Sequence, residues 1–404
     1  MDILIFTTRQ LCYNSGNYFA HRLGVEFEKM GFHCIYCEIP ENAIPASGTE
    51  TAEPVAKTAG KRVDCDAEEQ LKKYLNKKYL AIIDFNSKLP RLVLDDNSYY
   101  LDSIDAPFYN FILDHPLYHH STLSCTLRNY HVFAVDENHC RYIKRHYPHI
   151  QDAIQLELGA DCAKRAVEYG RKEDDILIIG TYRNPDMYME QIMKADEISR
   201  NIMLDMIRRL EEDTEMTVED ALFKCDNEQE EDKALILNSY YMVEMYYRNS
   251  YRKKMVDTLV KGNYPISIAG EWWDGYSLIS QSNIRRIEPV RFADSYGIVA
   301  EHRALADSSP FFKRGVHDRV YAGMANHTAV LSDYNLYRDK KLHGIAELYD
   351  QRCNNEEICD KVENILCNDT FFKELTDKAY DEYNKKYSWN IVAGRFIKHF
   401  LSEY

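Results

Sequence analysis

The sequence predicts an α/β protein that contains two Rossmann-like, doubly wound domains. The chain begins with an apolar run, a polar loop, an amphipathic helix and a second apolar run, which is how such a sheet starts. An apolar run that begins at Asp175 and ends in glycine and a polar turn repeats this opening. The length of 404 residues is enough for two domains of ordinary size.

The first half of the chain supplies the elements of one sheet. Apolar runs of strand length predict parallel strands at residues 3–6, 34–37, 80–85, 108–113 and 131–136. A helix over residues 19–30 follows a polar loop over residues 7–17 and ends at Gly31, and a helix over residues 137–147 ends before Pro148.

Residues 41–66 are rich in Ala, Pro, Gly, Thr and Glu and lack periodicity, so we predict an exposed loop there. The loop contains the triplet Asp64-Cys65-Asp66. Metal-binding Asp-x-Asp motifs follow an apolar strand, whereas this triplet follows a polar loop. We therefore assign no function to it.

The second half of the chain repeats the pattern with an insertion. Apolar runs predict strands at residues 175–180, 266–273, 284–289 and 329–331, and residues 296–306 predict a helix and a strand. Residues 186–262 have mostly helical spacing and predict a helical insert, whose acidic part at 211–232 is expected to be solvated. After Asp333 we expect an exposed charged segment and then helices near 356–366 and from 370 onward.

Composition narrows the classes of function. The net charge of −15 argues against a general nucleic-acid binder, because phosphate backbones require a basic face. Neither a signal peptide nor an apolar stretch of about 18 residues is present, so we expect a cytoplasmic protein. The eleven cysteines are scattered, and the single Cys-x-x-Cys spacing, Cys34 and Cys37, lies in a predicted strand, which favours buried thiols over a metal site.

A basic segment precedes the helix that is predicted around Val320. Lys313, Arg314, His317 and Arg319 surround Gly315 directly before this helix. Helix N-termini offer free N–H groups and a positive dipole end, which together with basic side chains bind phosphate. Asp333 follows at the carboxyl end of the next predicted strand, where open α/β sheets bind ligands.

The segment from Asp307 to Asp333 resembles the donor-sugar signature of GT-B glycosyltransferases, and it is most similar to the CgeB-like bacterial branch. The matching residues are Gly315, Arg319, Val320, Tyr321, Met324, Ala325, Ser332 and Asp333. Ala322 replaces a Glu that often holds the donor ribose in the family, and His327 replaces a frequent Gly. The two Glu residues of retaining members correspond to Arg314 and Ala322.

The resemblance implies a GT-B architecture of two Rossmann-like domains that face a cleft. We predict an acceptor-side domain over residues 1–168, a donor-side domain over residues 169–386 with the insert at 186–262, and a last helix over residues 387–404 that crosses back to the first domain. Tyr387-Ser388-Trp389 resembles the family motif before that helix. The resemblance also implies metal-independent transfer, with a nucleotide-sugar as co-substrate and no further cofactor.

The predicted donor-binding residues come from three segments. Gly180 would let the chain approach the diphosphate, Arg183 would neutralise charge, and an indole at Trp272 or Trp273 would stack on the nucleobase, as the family's Gly-x-x-Trp implies. The full predicted set is Gly180, Tyr182, Arg183, Glu271, Trp272, Lys313, Arg314, Gly315, His317, Asp318, Arg319 and Asp333. By the same resemblance, Asn14, Ser15 and Gly16 form a loop on the acceptor side.

His115 is the predicted catalytic base because it follows an apolar strand and has a pKa suited to proton transfer near neutral pH. Asp114 would orient His115 or act as the base itself. His119 and His120 are close in sequence, but no carboxylate or cysteine completes a metal-ligand spacing, so we expect no metal there.

These observations predict a glycosyltransferase that uses a nucleotide-sugar, with a UDP-sugar favoured. The first alternative is a non-catalytic nucleotide-binding or partner subunit, which Ala322 motivates. The second alternative is a sugar-nucleotide epimerase. The sequence leaves open the donor sugar, the stereochemistry, the oligomeric state and the acceptor, which could be a protein, a glycan, a lipid-linked glycan or a small molecule.

Overall fold

The computed structural model describes residues 2–8, 14–39, 65–225, 233–350 and 355–402. The chain divides into two compact units. The first unit comprises Met1–Leu158, Glu228–Ser239 and Trp389–Tyr404, and the second unit comprises Gly159–Asn227 and Tyr240–Ser388. The main divisions therefore fall after residues 158 and 388, where the sequence analysis placed them after residues 168 and 386.

The first unit contains a sheet of six parallel strands in the order β2-β1-β3-β4-β5-β6. The strands are β1 (Asp2–Thr8), β2 (His33–Ile39), β3 (Ala81–Phe85), β4 (Phe108–Ile112), β5 (Tyr130–Ala134) and β6 (Asp152–Gln155). The chain runs from β1 to β2 on one side and then to β3 on the other side, so the topological switch point lies between β1 and β3.

The second unit contains a second sheet of six parallel strands in the order β12-β11-β10-β7-β8-β9. These strands are β7 (Glu173–Ile179), β8 (Ile266–Ala269), β9 (Ile284–Ile287), β10 (His302–Ala306), β11 (Ala329–Asp333) and β12 (Glu347–Tyr349). Its switch point lies between β7 and β10. The predicted class, α/β with two doubly wound sheets, is confirmed.

Helices flank both sheets. In chain order they are α1 (Ser15–Lys29), α2 (Cys65–Lys72), α3 (His120–Leu123), α4 (Glu137–His146), α5 (Pro185–Lys194), α6 (Glu197–Glu212), α7 (Val218–Cys225), α8 (Lys233–Ser239), α9 (Tyr241–Lys261), α10 (Phe292–Glu301), α11 (Asp318–Ala325), α12 (Leu336–Leu342), α13 (Asn355–Cys367), α14 (Asp369–Lys386) and α15 (Trp389–Ser402). None of the helices within these described ranges combines the length and apolar character needed to cross a membrane.

The strands form where the sequence is apolar without alternation. Every residue of β3, β4 and β5 is buried, as expected for a parallel sheet that is covered on both faces. Cys34 and Cys37 are buried free thiols in β2, and burial raises the pKa of Cys37 to about 11. The interpretation of these cysteines as buried thiols is confirmed.

The N-terminal helix starts earlier than the polar sequence suggests. α1 begins at Ser15, so Ser15 and Gly16 lie in its first turn and are not part of a loop that continues to residue 17. Asn14 precedes the helix with φ 68°, a left-handed conformation that asparagine tolerates better than most residues. Residues 9–13 of the predicted loop lie outside the described residues.

The predicted loop over residues 41–66 also lies largely outside the described residues, and Asp64 of the Asp-x-Asp triplet is among these. Its last residues differ from the prediction, because α2 begins at Cys65. The chain reaches β3 directly after α2, and Leu71 of this helix is buried. A single buried apolar residue gives no helical periodicity, so the sequence does not identify this helix.

The predicted insert consists of α5 to α9. α7 lies in the acidic stretch that was expected to be solvated, and its Val218, Ala221 and Leu222 are buried, so this part of the expectation was wrong. Residues 226–232 of the stretch are outside the described part of the chain. α8 belongs to the first unit, where Asn238 Nδ2 donates to the carbonyl oxygen of Leu117 at 2.7 Å.

The segment after Asp333 was predicted to be exposed and charged, and the structure corrects this. It contains α12 and the edge strand β12. Arg338 and Leu342 of α12 and Tyr349 of β12 are buried. The charge of Arg338 is compensated inside the protein, which the composition of the segment does not reveal.

α15 packs within the first unit through aromatic side chains. The ring centroid of Phe396 lies 4.6 Å from that of Phe133, 5.7 Å from Phe111 and 6.1 Å from Phe27. The apolar face of α15 thus packs against β4, β5 and α1.

Candidate functional site

Two arginine side chains meet at the switch point of the second sheet. Gly180 ends β7 with φ 143°, and a β-carbon at this position would lie 3.6 Å from Arg319 Nη2 and 3.9 Å from Arg252 Nη1. Both guanidinium groups therefore lie over the glycine where β7 ends. Carboxyl ends of strands at a switch point are where open α/β sheets bind ligands. The glycine leaves backbone accessible beside two positive charges.

Asp307 anchors one of these arginines. Its Oδ1 accepts a hydrogen bond from Arg319 Nη1 at 2.8 Å, and Ser309 Oγ donates to its other oxygen. Burial opposes ionisation of this carboxyl, but the positive charges of Arg319, His317 and Arg338 hold the pKa of Asp307 well below its usual range. Arg319 is thus fixed in position by a buried, ionised partner at the end of β10.

Arg252 has no such partner. In the part of the chain that the structure describes, its guanidinium donates to the carbonyl oxygen of Thr181 at 2.9 Å and forms no salt bridge. Burial, together with repulsion from Arg319 and Arg248, lowers the pKa of Arg252 to about 10. The residue is still protonated at neutral pH. Arg319 has Asp307 as its partner, whereas Arg252 pairs with no carboxylate among the described residues, so an anion bound beside them would neutralise the charge of Arg252.

The sequence analysis missed Arg252 and Asp307. Arg252 lies in the middle of α9, 71 residues from its contact at Thr181, so no local motif connects the two. The one available signal is the spacing of Arg248 and Arg252, which puts two arginines on the same face of a helix rich in Tyr and Met. Gly180 and Arg319 were predicted, and the structure brings them together.

The end of β8 supports this arrangement. Gly270 has φ 138°, and a β-carbon there would lie 2.1 Å from the carbonyl oxygen of Gly180. The same carbonyl accepts a hydrogen bond from Trp273 Nε1 at 2.8 Å. Two neighbouring strand ends thus touch through their backbones, and this contact holds the turn at Gly180 in place.

The two neighbouring indoles occupy different environments. Trp273 is fully buried, and its ring packs 5.1 Å from that of Tyr182, so Tyr182 is a core residue. Trp272 is 55% exposed, and the Arg183 guanidinium lies 4.1 Å from its ring centre. Glu271 is exposed, and its backbone carbonyl accepts from the N–H of Tyr182. Of the predicted pair, Trp272 is the indole with a ring face available to a ligand.

The N-terminus of α11 is partly satisfied by its own side chains. His317 caps the helix and its Nδ1 accepts from the backbone N–H of Arg319 at 3.2 Å. The same nitrogen lies 2.8 Å from Asp318 Oδ1. One nitrogen cannot accept from N–H and donate to a carboxylate at once, so only one of these two contacts is a hydrogen bond in a given tautomer. Burial opposes ionisation of Asp318, yet the charge of His317 lowers the pKa of this carboxyl.

The other predicted residues of this segment lie in different surroundings. Arg314 is exposed and Gly315 is buried. Lys313 is buried, and its ammonium group donates to the carbonyl oxygen of Thr214 at 2.7 Å, which connects the donor segment to the helical insert.

Asp333 forms a buried ion pair at the end of β11. Its Oδ1 lies 2.6 Å from Arg338 Nη1 and accepts from the backbone N–H of Ser309 at 2.9 Å. Arg338 also donates to the carbonyl oxygen of Ser309 at 2.8 Å. This pair therefore holds the loop that follows β10 and carries Asp307.

In the first unit, Asp114 and Asn86 meet at the carboxyl edge of the sheet. Asn86 Nδ2 donates to Asp114 Oδ2 at 3.2 Å, and its Oδ1 accepts from the backbone N–H of Leu113 at 2.9 Å. Asn86 was not predicted and has φ 46°, which places its side chain across the gap between β3 and β4. Asp114 is half-buried, so its carboxylate is both oriented and accessible.

His115 lies beside Asp114, and its tautomer bears on the predicted role as a base. The ring Nδ1 accepts from the backbone N–H of Leu117 at 3.1 Å, so in the neutral ring the proton is on Nε2. In this tautomer the ring of His115 donates through Nε2, and its role as a base stays a prediction. Burial lowers the pKa of the nearby His119 to about 4 and that of His139 well below its usual value.

The predicted acceptor-side residues Asn14, Ser15 and Gly16 lie at the switch point of the first sheet. A β-carbon at Gly16 would lie 3.6 Å from the β-carbon of Phe85, the last residue of β3. The first turn of α1 therefore contacts the end of β3.

No protein-family model matches the sequence, and no curated protein matches it either. Solved structures do match. An alpha-glucosyltransferase in complex with UDP and a 13-mer DNA containing a central A:G mismatch has 8% identity and a TM-score of 0.58 over 99% of both chains. Sucrose-phosphate synthase from Thermosynechococcus elongatus has 8% identity and a TM-score of 0.56 over 100% of both chains.

The chain also spans about half of the length of TarM, with 10% identity and a TM-score of 0.46 over 79% of this chain and 54% of that one. The alpha-glucosyltransferase and the sucrose-phosphate synthase are glycosyltransferases that match over 99% or more of both chains, so each match includes the two parallel six-stranded sheets described above. The protein therefore has the two-domain α/β fold of GT-B glycosyltransferases.

Proposed function

We propose that this protein transfers a sugar from a nucleotide-sugar to an acceptor hydroxyl. The observation that carries the proposal is the pair Arg252 and Arg319 over Gly180, at the switch point of a sheet in a GT-B fold. A diphosphate carries the charge and the oxygen acceptors that two guanidinium groups bind. We propose a UDP-sugar as the donor, because one matching glycosyltransferase is a complex with UDP.

The surroundings of the pair supply the rest of a donor site. The backbone at Gly180 and the capped N-terminus of α11 lie next to the diphosphate position, and Trp272 offers an exposed ring for the uracil base. The positive groups stabilise the leaving diphosphate, so this step needs no metal. Ala322 leaves the ribose without the family's carboxylate.

The first unit supplies the acceptor chemistry in this proposal. The acceptor oxygen forms a bond to the anomeric carbon, the bond from that carbon to the diphosphate breaks, and the diphosphate leaves with the electron pair. The proton of the acceptor hydroxyl passes to the carboxylate of Asp114, which Asn86 orients. His115 donates a hydrogen bond through Nε2.

Arg252→Met tests the donor site without removing the partner of a buried carboxylate. We expect the Kd for UDP to rise about 10- to 150-fold, which corresponds to a charge-assisted contact of about 1.5–3 kcal/mol. We expect the free energy of unfolding to change by less than about 1 kcal/mol, because the repulsion from Arg319 is relieved as the bond to Thr181 is lost. Calorimetric titration with UDP, GDP, dTDP, CDP and ADP and denaturant unfolding measure the two effects.

Arg208→Met is the matched control, since Arg208 is an exposed arginine of α6 that pairs with Asp205 and Glu212. It should bind UDP as the wild type does. Equal UDP affinity in Arg252→Met and the wild type would remove the arginine pair from the donor site. Wild-type protein that binds none of the five nucleotides would overturn the transferase proposal and favour the non-catalytic alternative.

Asp114→Asn tests the proposed base. We expect release of UDP from UDP-glucose, a reaction that needs no identified acceptor, to fall by about 10²- to 10⁴-fold while UDP affinity is unchanged. His115→Asn keeps an acceptor near the N–H of Leu117 and removes only the Nε2 donor, so its rate should fall by about tenfold or less. A larger loss in His115→Asn than in Asp114→Asn would reassign the base to His115.

Product analysis in the same assay separates the alternatives. Free sugar or a glycosylated product supports transfer, whereas a changed UDP-sugar with its glycosyl bond intact supports epimerisation. Membership of the CgeB-like branch and a cytoplasmic location stay predictions. The exclusion of nucleic acid also stays a prediction from the net charge, and the matching alpha-glucosyltransferase structure contains DNA.

A further inference from the structure

A second polar cluster lies at the opposite edge of the first unit's sheet. His131 is at the amino end of β5, Asp152 is at the amino end of β6, and His399 is in α15. One ligand-type atom from each of these three side chains lies within 4.8 Å of the other two. Asp114 and His115 follow β4 at the carboxyl edge, so the cluster takes no part in the chemistry proposed above.

Aromatic side chains hold the two imidazole rings of this cluster. His131 stacks on Tyr109 with ring centroids 4.7 Å apart, and His399 meets the same tyrosine edge-on at 5.9 Å. The ring of His399 also lies 5.6 Å from that of Phe133. The rings are therefore oriented by apolar contacts, and such a shell excludes water and strengthens interactions with a charge.

The carboxylate provides access from solvent. The His131 side chain is 3% exposed, whereas that of Asp152 is 42% exposed, and His131 Nδ1 lies 3.5 Å from Asp152 Oδ2. An ion that enters beside Asp152 would next meet the buried imidazole of His131 and the half-buried imidazole of His399. The coordination position of the ion that the three side chains leave unfilled would be open to water.

We propose that His131, Asp152 and His399 bind a divalent transition-metal ion of the zinc type. Two imidazole nitrogens and one carboxylate oxygen form a donor set that Zn²⁺ accepts, with a water as the fourth ligand. Mg²⁺ and Ca²⁺ prefer sets made of oxygen only, so two histidines select against them. Ligand atoms around Zn²⁺ are about 3.3 Å apart, which small side-chain rotations reach from the observed spacing.

The bound ion would join three elements that are distant in the sequence. It would fix α15 to β5 and β6, so metal binding would add to the stability of the first unit. The proposed metal site takes no part in the proposed transfer reaction. The prediction that the leaving diphosphate needs no metal is therefore a separate one.

The proposal is tested on the full chain after dialysis against a chelator. Titration with Co²⁺ should give the visible absorption of a nitrogen- and oxygen-ligated ion at one equivalent, and Zn²⁺ should displace the Co²⁺ and raise the Tm. We expect His399→Gln and Asp152→Asn to weaken Zn²⁺ binding at least tenfold and to abolish the rise in Tm. Mg²⁺ at the same concentration should have no effect.

His33→Gln is the matched control, because His33 and Asp2 form an exposed pair in the same unit with Nδ1 and Oδ1 3.4 Å apart, and among the described residues no second histidine joins them. It should bind Zn²⁺ like the wild type. The partly exposed Asp152→Asn variant keeps the test valid if His399→Gln fails to fold. Absence of a Co²⁺ spectrum in the wild type, or Zn²⁺ affinity that is unchanged in Asp152→Asn and in a folded His399→Gln, would overturn the proposal.

Discussion

Arg338→Met is expected to lower the free energy of unfolding by about 3–5 kcal/mol, because it leaves a buried carboxylate without its partner. Asp333 is 2% exposed, and Arg338 is fully buried 2.6 Å away. The substitution also removes the hydrogen bonds of Arg338 to the carbonyl oxygens of Ser309 and Phe312. Since whole domains are stable by only about 5–15 kcal/mol, denaturant unfolding should show this loss clearly.

A double substitution tests whether the unpaired charge of Asp333 causes the loss of stability. Arg338→Met combined with Asp333→Asn removes both charges and keeps an acceptor for the N–H of Ser309, so it should recover part of the lost stability. Arg208→Met is exposed and should change the stability by no more than about 0.5 kcal/mol. A loss below 1 kcal/mol in Arg338→Met would mean that Asp333 is satisfied in another way.

Gly270→Ala is expected to abolish detectable UDP binding and to destabilise the second unit. Its β-carbon would lie 2.1 Å from the carbonyl oxygen of Gly180, so one of the two strand ends has to move. A φ of 138° adds roughly 1–3 kcal/mol of backbone strain for a residue with a side chain. The movement would displace Gly180 from the two guanidinium groups. Calorimetric UDP titration and denaturant unfolding measure both consequences.

Gly344→Ala separates strain from collision. Gly344 also has a positive φ, 73°, but no atom lies within 4 Å of the position of its β-carbon. This variant should lose stability through backbone strain alone and should bind UDP like the wild type. Retained UDP binding in Gly270→Ala would show that the strand ends adjust without disturbing the candidate site.

The sheets could be predicted largely from the sequence because parallel strands that are covered on both faces must be apolar throughout. The mostly apolar residues 81–85 and 130–134 form β3 and β5. β12 has only three residues, and α12 has an exposed Leu336 beside the buried Arg338. Neither segment produces a periodic signal, since its stability comes from contacts with distant residues.

The candidate site was predicted in part for a related reason. Gly180 and Arg319 lie in local patterns, a strand followed by a glycine turn and a basic segment before a helix. Arg252 reaches the site only through the packing of α9, and Trp272 and Trp273 are equivalent as sequence letters although one is exposed and the other buried. Such distinctions depend on tertiary contacts.

Because α8 and α15 belong to the first unit, this unit is not formed by one continuous stretch of the chain. The chain passes from one unit to the other after residues 158, 227, 239 and 388, so no single cut separates them. A polypeptide that stopped at residue 158 would lack Phe396 and would expose the faces of Phe111 and Phe133 that α15 covers. The first unit is thus completed only when the last residues of the chain are available, and it cannot finish folding before the second unit has been synthesised.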